Sequence, residues 1–392
     1  MRKVFLRVFV PFLLAWFLSS FFSSVNGILS VYLIPEFHLS KVELGAIFST
    51  SLLVTALMQF PLGNLIDYYG PRRVQVSLFL IAAAGMGLFA IAHNAVVLFF
   101  GATLMGMGFS GGLIAGFKAM RPYVDVRKIP LVDGLVLASG VLGGFAASLP
   151  VVMLLHVISW RELMLLFMVL SLLMAGWFYF KVPDPPRADR THVPSLAQQF
   201  VQNKIIFKSV FFWQIACLVC FAYGSKTAFM GLWAVPWLST TGGFSLEQIA
   251  KLLMMAGFAN FVGDLSWGFI AERMAYCFKQ PVTRVLCVAS VLFIVVQILL
   301  MFRLVSIASY WPWVVFGFCN RYSTLAYAAL AQHFDKDLMG SSSMAINICF
   351  YGIAFLTEFG MGLCHNYAIG FGVIIVLQGL GLLWFVCNGR KN

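Results

Sequence analysis

Residues 39–70 read LSKVELGAIFSTSLLVTALMQFPLGNLIDYYG. A polar start at Ser40 leads into an almost purely apolar run over 44–64. About twenty such residues in a helix cross the roughly 30 Å hydrocarbon layer of a bilayer. The run ends in Gly63-Asn64-Leu65-Ile66-Asp67-Tyr68-Tyr69-Gly70, followed by Pro71, Arg72 and Arg73. A weaker copy lies 205 residues further on, FSLEQIAKLLMMAGFANFVGDLSWGFIAERMA over 244–275. There Ser245 falls on Ser40, Gly268 on Gly63 and Glu272 on Asp67, with Arg273 following and Ala275 in place of Gly70. The repeated stretch predicts a duplicated membrane unit.

The rest of the chain agrees. It is 61% hydrophobic and 10% charged, with 40 phenylalanines among 392 residues. Soluble domains carry about 25% charged residues, so a water-facing surface of this size could not be covered. Apolar runs predict spans near 9–33, 44–64, 74–92, 95–118, 131–155 and 160–180. A second set falls near 209–238, 247–270, 282–304, 309–331, 340–363 and 367–387. The fold expected is an all-α membrane protein of twelve transmembrane helices in two pseudo-symmetric six-helix halves. Residues 1–181 form the first half, 182–208 a cytoplasmic linker opened by Pro183, Pro185 and Pro186, and 209–392 the second half. The later part of the linker predicts a short amphipathic surface helix.

Charge orients the spans. With the N-terminus inside, 19 of the 26 Lys and Arg fall in inside segments and four outside (Lys41, Arg161, Lys251, Arg303). Cytoplasmic loops are enriched in Lys and Arg, so both termini are expected in the cytoplasm of a bacterial inner membrane. The positive start at Arg2 and Lys3 runs into an apolar stretch too long for a cleaved signal, so it is expected to stay as the first span. The net charge of +12 sits in loop clusters, with no basic stripe for nucleic acid. Cys217 and Cys220 lie in an apolar run without the strand-helix setting of a redox motif. The six histidines have no metal-ligand spacing, and no glycine loop follows a strand. Neither metal, cofactor nor catalytic constellation is expected, so an enzyme is not.

The chain resembles the major facilitator superfamily of secondary transporters. The match rests on Gly63-x-x-x-Asp67-x-x-Gly70-x-Arg72-Arg73 after the second span. In the family that loop is a conformational latch on the cytoplasmic side. The resemblance implies that Asp67 meets a neighbouring helix end and loop charges, with Glu272 and Arg273 as the degraded second copy. The fifth span carries Gly134, Gly140, Gly143 and Gly144, which the resemblance makes a close-packing and rocking helix. Two departures stand out. The fourth span lacks the Arg that family drug antiporters carry ahead of its glycines, and the second span lacks the Arg expected of nitrate-type anion porters.

Ionisable residues inside spans are costly and mark function. Arg321 in the tenth span, Lys226 in the seventh and Lys118 at the end of the fourth are the candidate solute-binding cations. Asn26, Trp233 and Asn347 add polar or aromatic handles on helices that line the cavity in this architecture. Glu358 and Asp264 are candidate coupling acids, with ion pairing to Lys226 or Arg321 as the alternative. Asp133 reads as a helix-start acid. Cations outnumber acids, so the leading expectation is secondary transport of a small anionic or zwitterionic solute: an organic acid, an amino acid or a small peptide. Proton symport through Glu358 or Asp264 is open. The alternatives are a drug or metabolite efflux antiporter, a nitrate-type porter and a non-transporting receptor. A monomer is the default.

Overall fold

The polar punctuation between the apolar runs becomes helix caps. Ser40 accepts from the Glu43 amide at 3.2 Å, and the Glu43 carboxylate accepts from the Ser40 amide at 2.9 Å. Ser159 and Glu162 repeat this capping box. Each satisfies two amides that a helix start leaves free. Asn94 caps the next helix by accepting from the Val97 amide at 3.0 Å.

The computed structural model describes residues 5–124, 129–183, 196–278, 281–335, 338–364 and 366–388. Among these there is no strand. The first half holds α1 (Val10–Phe37, led by a π-helical turn at Phe5–Phe9), α2 (Lys41–Tyr69), α3 (Pro71–Ala90), α4 (Ala95–Phe109) and α5 (Gly112–Met120). It continues with α6 (Ile129–Ala146), α7 (Leu149–Leu155) and α8 (Trp160–Lys181). Then come α9 (Leu196–Lys208), α10 (Val210–Ala228), a π-helical turn (Phe229–Trp233) and α11 (Ala234–Gly242). The remainder is α12 (Leu246–Phe278), α13 (Val282–Met301), α14 (Tyr310–Asn320), a 3-10 turn (Arg321–Thr324), α15 (Leu325–His333), α16 (Met339–Leu363) and α17 (Tyr367–Asn388).

Among the described residues ten helical segments are long and apolar enough to cross a membrane, and the bent α6–α7 pair makes up to eleven. The tenth expected span falls on α14 and α15, which a 3-10 turn separates, and is not among these. Several expected single spans are therefore interrupted. Pro150, which cannot donate a backbone bond, follows the 40° bend between α6 and α7. The fourth span breaks at Ser110-Gly111 and the seventh winds into its π turn.

The latch segment also differs from a loop. Helix α2 continues to Tyr69, and Gly70 alone makes the turn, with φ of 86°. That backbone conformation favours glycine. Pro71 then opens α3, where a missing amide is harmless. Of the linker, residues 184–195, including Pro185 and Pro186, lie outside the described residues. Helix α9 follows, and its neighbour α16 is met through Ser341 Oγ donating to Gln202 Oε1 at 2.9 Å.

Contacts divide the chain into two compact units, Met1–Leu196 and Ala197–Asn392. Each unit packs its helices with the same devices. In the first, a Cβ on Gly106 would lie 2.5 Å from the Ser51 backbone; in the second, a Cβ on Gly317 would lie 2.2 Å from the Ala256 carbonyl oxygen. Ser51 and Ala256 occupy equivalent places in the repeated stretch. Small residues let membrane helices approach this closely.

Candidate functional site: the charged cluster of the second unit

The break in the tenth span is built from its neighbours. Trp267 on α12 donates to the Phe318 carbonyl at 2.9 Å. Asn320 donates to Asn260 Oδ1 at 2.7 Å and stays within 3.0 Å of the Phe316 carbonyl oxygen. Ser323 and Thr324 return their hydroxyls to the carbonyls of Asn320 and Arg321 at 3.1 and 2.8 Å. The carbonyls that the turn releases are thus paired, which a membrane interior requires.

Arg321 begins this turn. Its stem lies over Gly263, where a Cβ would come within 3.0 Å of Arg321 Cγ. Nε donates to Oδ1 of Asp264 at 2.6 Å, and Nη2 lies at ion-pair distance, also 2.6 Å, from the same oxygen. The two side chains are only 13% and 12% exposed. Asp264 Oδ2 is buried without a hydrogen-bond partner. The structure thus gives Arg321 to Asp264, and not to Glu358.

Lys226 lies on α10, half-buried, within electrostatic reach of both Arg321 and Asp264. Tyr223, one turn earlier, and Tyr327, on α15, also feel the Arg321 charge. Tyr327 donates to Asn347 Oδ1 on α16, which places Asn347 at the edge of the same cluster. Tyr223 stacks on Phe350 at 4.6 Å. The tyrosines escaped notice in the sequence. Their signal was Tyr223 standing three residues before Lys226, on one helical face.

Two other candidates stand apart. Trp233 is fully enclosed, and its indole donates to the Glu358 carbonyl oxygen at 2.9 Å. It packs α10–α11 onto α16 and offers no face to a solute here. Glu358 is 2% exposed, and its Oε1 has no hydrogen-bond partner. No described cation is within ion-pair distance of it.

In the first unit Lys118 meets the glycine-acid motif. Its ammonium donates to Asp67 Oδ1 at 2.6 Å and to the Gly63 carbonyl at 3.1 Å. A cation at the C-terminal end of α2 also suits the helix dipole. Arg72 reaches the Tyr179 carbonyl and its ring, tying α3 to α8. Arg73 is exposed. Arg121 pairs with Asp133 at 2.8 Å, so that acid joins the 3-10 turn after α5 to α6. In the second unit Glu272 and Arg273 are exposed and form no ion pair among the described residues. Asn26 is half-buried on α1. Gly140 and Gly143 press against Trp16, Ser20 and Phe17 of the same helix, and Gly144 faces Ser24.

Known proteins give the arrangement a family. The Major Facilitator Superfamily profile matches residues 12–357. The chain is 25% identical to the probable sulfoacetate transporter SauU of Cupriavidus necator over 61% of its length and 58% of that protein's. It is 25% identical to the hexuronate transporter of Bacillus subtilis over 68% of its length and 66% of that protein's. The nitrate/nitrite transporter NrtP of Picosynechococcus is 22% identical over 42% of the chain and 36% of the relative. The matches thus span less than two thirds of these relatives' own lengths. In fold, a bacterial homologue of the human lysosomal transporter Spinster superposes with a TM-score of 0.76, at 15% identity over 97% of this chain and 96% of that one. The nucleoside transporter NupG does so with 0.77, at 12% identity over 99% of both chains. With ten or eleven candidate spans among the described residues, the Gly63–Asp67–Gly70 motif and a profile match across most of its length, the chain belongs to the major facilitator superfamily.

Proposed function

We propose that the protein is a secondary transporter of a small organic anion bearing a carboxylate or a sulfonate. The observation that carries the reading is the charge of the second unit's cluster: Lys226 and Arg321 against Asp264 alone. A net positive site walled by apolar helices attracts an anion far more strongly than water would allow. Relatives named for sulfoacetate, hexuronate and nitrate, all anions, support it. The protein is taken to sit in a bacterial inner membrane with both termini and the 182–208 linker in the cytoplasm. The test is counterflow in proteoliposomes with labelled sulfoacetate, glucuronate and pyruvate, against glucose and lysine. Saturable uptake of an anion supports the reading; uptake of glucose or lysine alone overturns it.

Glu358 is the proposed coupling group. Proton binding there removes a charge that nothing nearby balances, and unpaired buried charge is costly. Glu358→Gln is expected to abolish stimulation of uptake by an inward proton gradient while solute counterflow persists. Stimulation that survives in the variant removes Glu358 from coupling.

Asp67 with Lys118 is the proposed latch. Both side chains are about a third exposed, at 31% and 34%, so the pair contributes less than about 1 kcal/mol to stability. A threefold to fivefold change in the balance of two conformations needs only about 0.6–1 kcal/mol. Asp67→Asn is therefore expected to leave the melting temperature nearly unchanged and to lower the maximal uptake rate roughly threefold to fivefold. An unchanged rate would remove the latch role.

A further inference from the structure

Lys226 and Arg321 carry the same charge in different states. Arg321 is balanced at contact distance: two of its nitrogens hold one oxygen of Asp264, and its stem is fixed over Gly263. Its position is further set by the paired carbonyls of the 3-10 turn. Lys226 has no such partner. Among the described residues no acid lies within ion-pair distance of its ammonium, and it makes no hydrogen bond. Of the buried acids in the second unit, Asp264 gives its Oδ1 to Arg321, and Glu358 is in no ion pair among the described residues. Glu247 is paired with Lys251 at 2.7 Å, and Glu272 is exposed.

An unpaired cation on a membrane helix is retained only where a partner arrives or water reaches it. We infer that Lys226, and not Arg321, takes the acidic head of the solute. Arg321 and Asp264 form a charge-balanced wall that positions the broken tenth span beside it. The single uncompensated charge fits one carboxylate or sulfonate group. Tyr223, one turn away on the same helix, and Tyr327 flank the cluster with aromatic rings and hydroxyls. The flexible four-carbon stem of a lysine suits a group that must release its ligand in each cycle. This inference rests on the anion reading above.

The test is counterflow of labelled glucuronate and sulfoacetate by wild type, Lys226→Gln, Lys226→Arg and the double variant Lys226→Gln/Asp264→Asn. Each is purified and its melting temperature recorded. Lys226→Gln is expected to raise the half-saturating concentration of the transported anion at least roughly tenfold, the equivalent of about 1.4 kcal/mol. Lys226→Arg keeps the charge and is expected to recover most of the affinity. In the double variant Asp264 no longer neutralises Arg321, and the freed guanidinium is expected to restore part of the anion affinity. A structural role for Lys226 would not produce that rescue. Unchanged half-saturation in a folded Lys226→Gln overturns the assignment while the anion reading stands. A wild type that takes up neither anion but carries glucose or lysine overturns the anion reading itself, and this inference with it.

Discussion

Arg321→Gln is expected to lower the stability of the second unit by about 3–5 kcal/mol, because it leaves Asp264 buried without its counter-charge. Both partners are nearly nine-tenths enclosed, so solvent cannot replace the lost guanidinium. The effect should not stay local. Arg321 opens the 3-10 turn that joins α14 to α15, and its stem covers Gly263. Loss of the pair therefore loosens the break as well as the charge. Uptake is expected to fall to background together with the melting temperature in detergent. The double variant Arg321→Gln/Asp264→Asn removes both charges and is expected to recover most of the melting temperature, since replacing a buried pair by neutral groups is far milder than breaking it. A single variant that melts like wild type would mean that water reaches Asp264. A double variant no better than the single one would mean that the turn depends on the guanidinium's shape.

Gly143→Ala is expected to be nearly as damaging to the first unit. A Cβ at this position would lie 2.1 Å from the Phe17 carbonyl oxygen on α1. That is far inside van der Waals contact, and the obstacle is backbone, which cannot rotate away. Helix α1 would have to retreat, giving up the packing that joins it to α6 and opening voids that interiors tolerate poorly. Gly134→Ala on the same helix is the control. Nothing lies within 4 Å of its added methyl, so the change should be neutral or stabilise by about 0.5–1 kcal/mol through helix propensity. Thermal melts of the two variants side by side decide the matter. Equal stability of both would show that α6 and α1 do not need their close approach.

Much of this was legible in the residues. The apolar runs located the helices, because lipid demands continuous apolar helix and the chain has too few charges for anything else. The expectation of single uninterrupted spans failed at the tenth. Nothing local announces a 3-10 turn in Asn320-Arg321-Tyr322-Ser323-Thr324. The turn exists because Trp267, Asn260 and Asp264 on another helix satisfy the groups it releases. Trp233 shows the converse limit. Its helix was identified correctly, but whether an indole faces a cavity or a neighbouring helix depends on rotation about the helix axis, which hydropathy of an all-round apolar helix does not encode.

Sequence alone therefore determined the membrane class, the succession of helices, the duplicated stretch and the residue types capable of function. Those follow from transfer energies and steric rules that act on each segment separately. Tertiary structure alone decided which charges are spent on each other. Asp67 is matched with Lys118, and Asp264 with Arg321, at separations of 51 and 57 residues along the chain. Lys226 is left without an ion-pair partner among the described residues. Ion pairing falls off within a few ångströms, so partnership is a property of helix packing in space, and order along the chain does not carry it.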